Sequence, residues 1–150
     1  MITEITNGKG TICAEILAML PEWFGIPEAN AAHIREVEML TVFGAFEGGR
    51  PVGFLALKQH TPFAAEIYVM GVRPERHRRG NGRALIEHAQ VYLRGRGLRF
   101  LTVKTIAPSS PDPRYAGTRA FYEGVGFVPL ELFPLLWNAQ NPALMMVKTI

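Results

Sequence analysis

"AAEIYVMGVRPERHRRGNGRALIEHAQVYLRGRGLRFLTVKTI", residues 64–106, decides how this chain folds. Its first nine residues are β-branched and apolar enough for a strand, and Pro74 stops them. From Gly82 to Arg94, the residues Leu85, Ile86, Ala89, Tyr92 and Leu93 fall on one stripe, while Arg83, Glu87, Gln90 and Arg94 fall on the other. That spacing predicts an amphipathic helix, ended by Gly95 and Gly97, before "LRFLTVKTI" reads as a second strand. Strand, helix and strand in this order place the two strands parallel with a right-handed crossover. A ligand then sits beyond the strands' C-terminal ends, beside the start of the helix.

Positive charge collects at that point. Eight arginines (73, 76, 78, 79, 83, 94, 96 and 99) stand against two acids between residues 73 and 99, although the formal net charge of the whole chain is only +3. The first backbone N–H groups of a helix lack internal partners and point where the helix dipole is positive. Gly80 and Gly82 carry no Cβ to hold a phosphate away, and Arg78, Arg79 and Arg83 add charge-assisted contacts. A pyrophosphate suits such a cradle. A Walker loop would need Lys and then Ser or Thr after the second glycine, where Arg83 and Ala84 stand, and a Rossmann fingerprint would need a third glycine where Leu85 stands.

Working outward, "TICAEILAMLPEWF" has the helical spacing of Ile12, Ile16, Met19 and Leu20, and "PEANAAHIREVE" predicts a short second helix with proline in its first turn. "LTVFGAFEGGRPVGFLALKQH" reads as a hairpin turning at residues 47–50. "DPRYAGTRAFYEGVGF" predicts a further helix closed by Gly126, followed by short strands at "FVPLELF" and "ALMMVKTI". Hairpin and crossover strands mixed with helices make the class α+β with a mixed sheet.

The 150 residues, 48% hydrophobic and 19% charged, fit one globular domain spanning the chain. Cys13 is the only cysteine, so it has no internal disulfide partner, and no cysteine and histidine cluster has the spacing of a zinc site. Without a signal-like start or an apolar run near the roughly 20 residues that span a bilayer, a cytoplasmic location is expected, with no membrane partner. Aromatics suited to base stacking are sparse among the arginines, which ranks a nucleic-acid partner low.

Two motifs resemble the GCN5-related N-acetyltransferase (GNAT) family. "VRPERHRRGNGRAL" supplies Val72, Pro74, Gly80 and Gly82 of the first, with His77 where the family has Gln or Arg. "TRAFYEGVGF" supplies Phe121, Tyr122, Gly126 and Phe127 of the second, and Tyr115 stands where the family often has Asn. The resemblance covers residues 41–150, and the first 40 by element order alone.

The resemblance implies transfer of an acetyl group from acetyl-CoA to an amine, on a mixed sheet whose central parallel strands splay apart around the pantetheine arm. Met70, Gly71 and Val72 would line the gap, and His77, Arg78, Arg79, Gly80, Asn81, Gly82, Arg83 and Phe121 would complete the cofactor site. Tyr122 is implied as the acid that protonates the departing thiolate. Glu66 is implied as the base, directly or through water, since its even spacing to Tyr68 and Met70 puts the three on one face unless a bulge intervenes. Trp23 and Phe24 are candidates for the acceptor pocket, with core packing as their alternative, and Trp137 has the same ambiguity. The expected acceptor is a small-molecule amine, beside which an amine on a peptide or aminoacyl-tRNA and a noncatalytic acyl-CoA sensor stay open. Oligomeric state is open too, a homodimer included.

Overall fold

The computed structural model describes all 150 residues. One seven-stranded sheet runs through the molecule in the order β1-β2-β3-β4-β5-β7-β6, with β1 at Ile2–Ile5, β2 at Thr41–Glu47, β3 at Arg50–Gln59, β4 at Ala64–Val72, β5 at Phe100–Ile106, β6 at Val128–Asn138 and β7 at Asn141–Thr149. All neighbours are antiparallel except β4 and β5. Helix α3, Asn81–Arg94, makes the crossover between those two, as the strand–helix–strand pattern requires. The expected α+β class with a mixed sheet is therefore the observed one.

Helices cover both faces. Leu85, Ile86, Ala89 and Leu93 of α3 bury one stripe against Leu55, Ile67, Leu101 and Val103 of the sheet, joined by Tyr122, Val125 and Phe127 at the end of α4, Pro113–Gly124. On the opposite face, Cys13, Ile16 and Leu17 of α1, Lys9–Leu17, pack with Leu20 and Val37 on Val42, Phe54, Ala56 and Val69. Helix α2, Pro27–Glu36, lies beside α1 and starts with Pro27, whose missing N–H costs nothing in a first turn. Cys13 is fully buried and desolvation pushes its thiol up to about 12, which leaves it unreactive.

The β2–β3 hairpin turns on Gly48 and Gly49 alone, with φ of 56° and 78°. Two consecutive positive φ angles are the type I′ geometry that matches strand twist.

Several sequence expectations are corrected. Strand β1 was not anticipated: its four residues pair only along one edge of β2 and show too little periodicity to register. Strands β6 and β7 are longer than expected, at 11 and 9 residues, because Pro129 and Pro134 sit on an edge strand whose missing N–H groups break no ladder between central strands. Gln90, assigned to the solvent stripe of α3, is 4% exposed, and its Oε1 has no partner. Arg73, counted with the surface cations, is buried. Its guanidinium donates to the Pro51 carbonyl at 2.7 Å and to Glu15 Oε1 at 2.5 Å, tying the end of β4 to α1.

Candidate active site

Strands β4 and β5 pair only from Ala64–Ile67 with Phe100–Val103. Beyond those residues they part. Opposite the parting point, Ile67 and Val69 of β4 face the consecutive residues Leu57 and Ala56 of β3, so Tyr68 is an inserted residue. Such a bulge bends its strand and reverses the alternation of side chains. Ala65 and Ile67 belong to the core under α3, whereas Val69 belongs to the core under α1, and Met70 returns to the α3 side. Glu66 and Tyr68 therefore share one face and Met70 lies on the other, which corrects the expectation that all three point together.

A cleft of about 1010 Å³ opens in the gap. Met70, Gly71 and Val72 line it from β4, and Lys104, Thr105 and Ile106 line it from β5. His77, Arg78, Gly80, Asn81, Gly82 and Arg83 line one end, with Phe121 and Tyr122 of α4 along the wall. Trp23 and Phe24 face the same space, and so do Tyr68, Tyr115 and Trp137. Of the candidate catalytic, cofactor-binding and acceptor-pocket residues, Arg79 and Glu66 are the two that do not line it.

At the start of α3, the backbone N–H groups of Asn81, Gly82 and Arg83 have no partner within the chain, and the first helical bond is Ala84 N–H to the Gly80 carbonyl at 2.9 Å. Gly80 caps the helix at φ 81°, and Arg78 holds φ 60°, a left-handed conformation unusual for arginine. His77 Nε2 donates to the Val72 carbonyl at 2.7 Å, which closes the loop back onto the end of β4. A ring nitrogen thus does a backbone-tethering job at the position where the resemblance expected Gln or Arg. Of the remaining basic side chains in this stretch, Arg76 is held by Glu47 at 2.5 Å, while Arg94, Arg96 and Arg99 stand at or beyond the far end of α3.

Gly82 works differently from expectation. A Cβ there would meet Phe121 Cζ at 2.9 Å, so the missing side chain makes room for the ring of α4. Gly80, with open space around its own missing Cβ, is required by its positive φ instead.

The second motif is a helix stop. Phe127 N–H bonds the Tyr122 carbonyl at 3.0 Å and Gly126 N–H bonds the Glu123 carbonyl at 3.0 Å, with Gly126 at φ 104°. This is a Schellman arrangement, and its usual apolar contact is the pairing of the Phe127 and Tyr122 rings, 5.5 Å between centroids. Tyr122 is held against the Phe127 ring as a result. It is 7% exposed, and burial raises its phenol well above the ordinary value, so the hydroxyl keeps its proton.

Glu66 stands behind the β5 wall. One carboxylate oxygen meets His60 Nε2 at 2.7 Å, the other accepts from Lys104 Nζ at 2.9 Å, and the residue is 7% exposed. Tyr68, its neighbour on that face, has its hydroxyl 3.2 Å from His33 Nδ1. Burial lowers the His33 imidazole below its ordinary 6.5, leaving it neutral at neutral pH. Nothing in the sequence pairs His33 with Tyr68, because residues 35 positions apart carry no spacing signal.

The family model for acetyltransferases of the GNAT family matches residues 13–127. No curated protein sequence matches the chain. Among solved structures, a GNAT-family protein from Desulfovibrio desulfuricans superposes with a TM-score of 0.83 at 20% identity, covering 99% of this chain and 98% of that one. The ribosomal-protein-S18-alanine N-acetyltransferase from Escherichia coli gives 0.78 at 21% identity over 100% and 93%. The aminoglycoside 6'-N-acetyltransferase from Enterococcus faecium gives 0.77 at 19% identity over 99% and 96%. At these identities the likeness is one of fold.

Proposed function

The chain belongs to the acetyltransferase (GNAT) family, and from that premise we propose that it moves an acetyl group from acetyl-CoA directly to a primary amine of a small molecule. The observation that carries this reading is the coincidence of three unpaired N–H groups at the start of α3 with the mouth of the gap between β4 and β5. An anion there is met by backbone donors, the helix dipole and Arg78 and Arg83, which suits the pyrophosphate of acetyl-CoA. The cleft runs past Met70, Gly71 and Val72 where β4 and β5 no longer pair, which suits an extended pantetheine arm.

Tyr122 is proposed as the acid. The acceptor's lone pair forms the new C–N bond as the thioester C–S bond breaks, and the sulfur that leaves takes the Tyr122 proton. A phenol kept protonated by burial, on a ring that cannot swing, is suited to that step. Glu66 is assigned the placing of Lys104 in the wall, because both carboxylate oxygens are already engaged. The acceptor's own proton leaves through the Tyr68 hydroxyl, which passes its hydrogen to His33 Nδ1 as it takes one from the amine.

Release of free CoA thiol, followed with a panel of primary amines, tests the activity, and calorimetric titration with acetyl-CoA tests the cradle alone. Saturable acetyl-CoA binding and amine-dependent thiol release are expected. Absence of acetyl-CoA binding would overturn the reading.

A further inference from the structure

The wall of the cleft contains no carboxylate. Its charged lining residues are Arg76, Arg78, Arg83, Lys104 and Arg114, with no aspartate or glutamate among them. Three of these cations are already paired with acids outside the lining: Arg76 with Glu47 at 2.5 Å, Lys104 with Glu66 at 2.9 Å, and Arg114 with Asp112 at 2.5 Å. The lining also has an apolar and aromatic part, which reaches the cradle where the Trp23 ring packs edge-on to His77, 6.0 Å between centroids. Trp23, Phe24 and Ile26 come from the segment after α1, and Leu136 and Trp137 come from β6.

An ammonium group that leaves water needs a counter-charge or a full set of acceptors. A polyamine or an aminoglycoside brings several such groups, of which only one is acetylated. In this cleft each of the others would meet an apolar wall or another cation, with no carboxylate in the lining to offset it. The same wall favours the single reacting amine in its neutral form, since nearby positive charge disfavours an ammonium. Rings, by contrast, find two indoles and a phenyl group to pack against.

Resting on the acetyl-transfer reading above, we propose that the acceptor is an amine on an aromatic body carrying no second positive charge, and that polycations are rejected by the cleft. The geometry assigns Trp23 and Trp137 as the residues that recognise the aromatic body, and the absence of wall carboxylates as the device that rejects polycations.

Initial rates of thiol release at saturating acetyl-CoA would be compared for tyramine, tryptamine and phenethylamine against spermidine and kanamycin, with acetyl-CoA affinity measured separately. The expected kcat/KM is about tenfold or more higher for the aromatic amines, the size of one well-placed contact. Trp137→Ala should raise KM for tryptamine, and Ile26→Glu, which adds a carboxylate to the wall, should raise turnover of spermidine relative to tryptamine. Polycations used as well as the aromatic amines, or aromatic amines ignored by a protein that binds acetyl-CoA, would overturn the proposal while leaving the acetyl-CoA site intact. Failure to bind acetyl-CoA would instead overturn the transfer reading, and this one with it.

Discussion

Phe121 Cζ lies 2.9 Å from the point where a Cβ on Gly82 would stand, so the first turn of α3 and the wall of α4 touch through a gap one atom wide. A valine at Gly82 would drive the ring away or lift the helix start. Overpacking of this kind costs about 1–3 kcal/mol and displaces its neighbours. Gly82→Val should weaken acetyl-CoA binding about tenfold or more, and adding Phe121→Ala should recover part of that loss. Calorimetric titration of both variants checks this, and equal losses in the two would place the clash with the ligand instead of the ring.

The arginines of the loop should separate by position. Arg78 and Arg83 line the cleft and Arg79 does not. Arg78→Ala with Arg83→Ala should weaken acetyl-CoA binding and flatten its dependence on salt, because screening acts on charge pairs that have been removed. Arg79→Ala should leave both nearly unchanged. The measurement is affinity across a series of salt concentrations.

Tyr122→Phe keeps the ring that packs on Phe127 and removes only the hydroxyl. Acetyl-CoA affinity should persist while turnover falls by about 10² to 10⁴, the usual size of general acid help. Full turnover in this variant would remove Tyr122 from the chemistry.

If Glu66 positions Lys104 and does not itself take the acceptor's proton, Glu66→Gln should lower kcat/KM with a pH profile parallel to that of the parent. A profile whose acidic limb disappears would make Glu66 the base after all. Here the shape of the profile is the readout, since loss of a structural contact lowers rates without changing it.

His33 links acidity to stability. Its folded pKa is below the ordinary 6.5, so between the two values the unfolded chain binds more protons than the folded one. Stability from this group is present above about 6.5 and is lost as pH falls through that value toward the folded pKa. His33→Gln should therefore reduce the drop in thermal midpoint on moving from pH 7 to pH 5. An unaltered drop would show that the imidazole takes up its proton without penalty.

The fold was legible where a residue's role depends on its near neighbours. The crossover β4–α3–β5 follows from the stripe of Leu85, Ile86, Ala89 and Leu93 between two apolar runs, and the Schellman stop follows from Tyr122, Gly126 and Phe127. What escaped depends on distant partners. Arg73 looks like its neighbours Arg76 and Arg78 until Glu15 and Pro51 are brought to it by the packing of α1 and β3. Glu66 has the look of a free acid until Lys104, 38 residues on, closes over it. The reversal at Tyr68 was allowed for as a bulge, but its position is set by the register against Ala56 and Leu57, which no local pattern encodes.

The bulge at Tyr68 makes the opening of the sheet a matter of residue number and not of residue kind. Exchanging side chains within β4 leaves the count intact, so drift in that strand can reshape the lining without shutting the gap. Loss of a single codon there would make the pairing of Ile67 and Val69 with Leu57 and Ala56 regular, leaving Val69 and Met70 on their present faces but removing the bend that parts β4 from β5. The strand thus tolerates substitution and forbids deletion, and length, read at this one place, is as much a part of the site as chemistry.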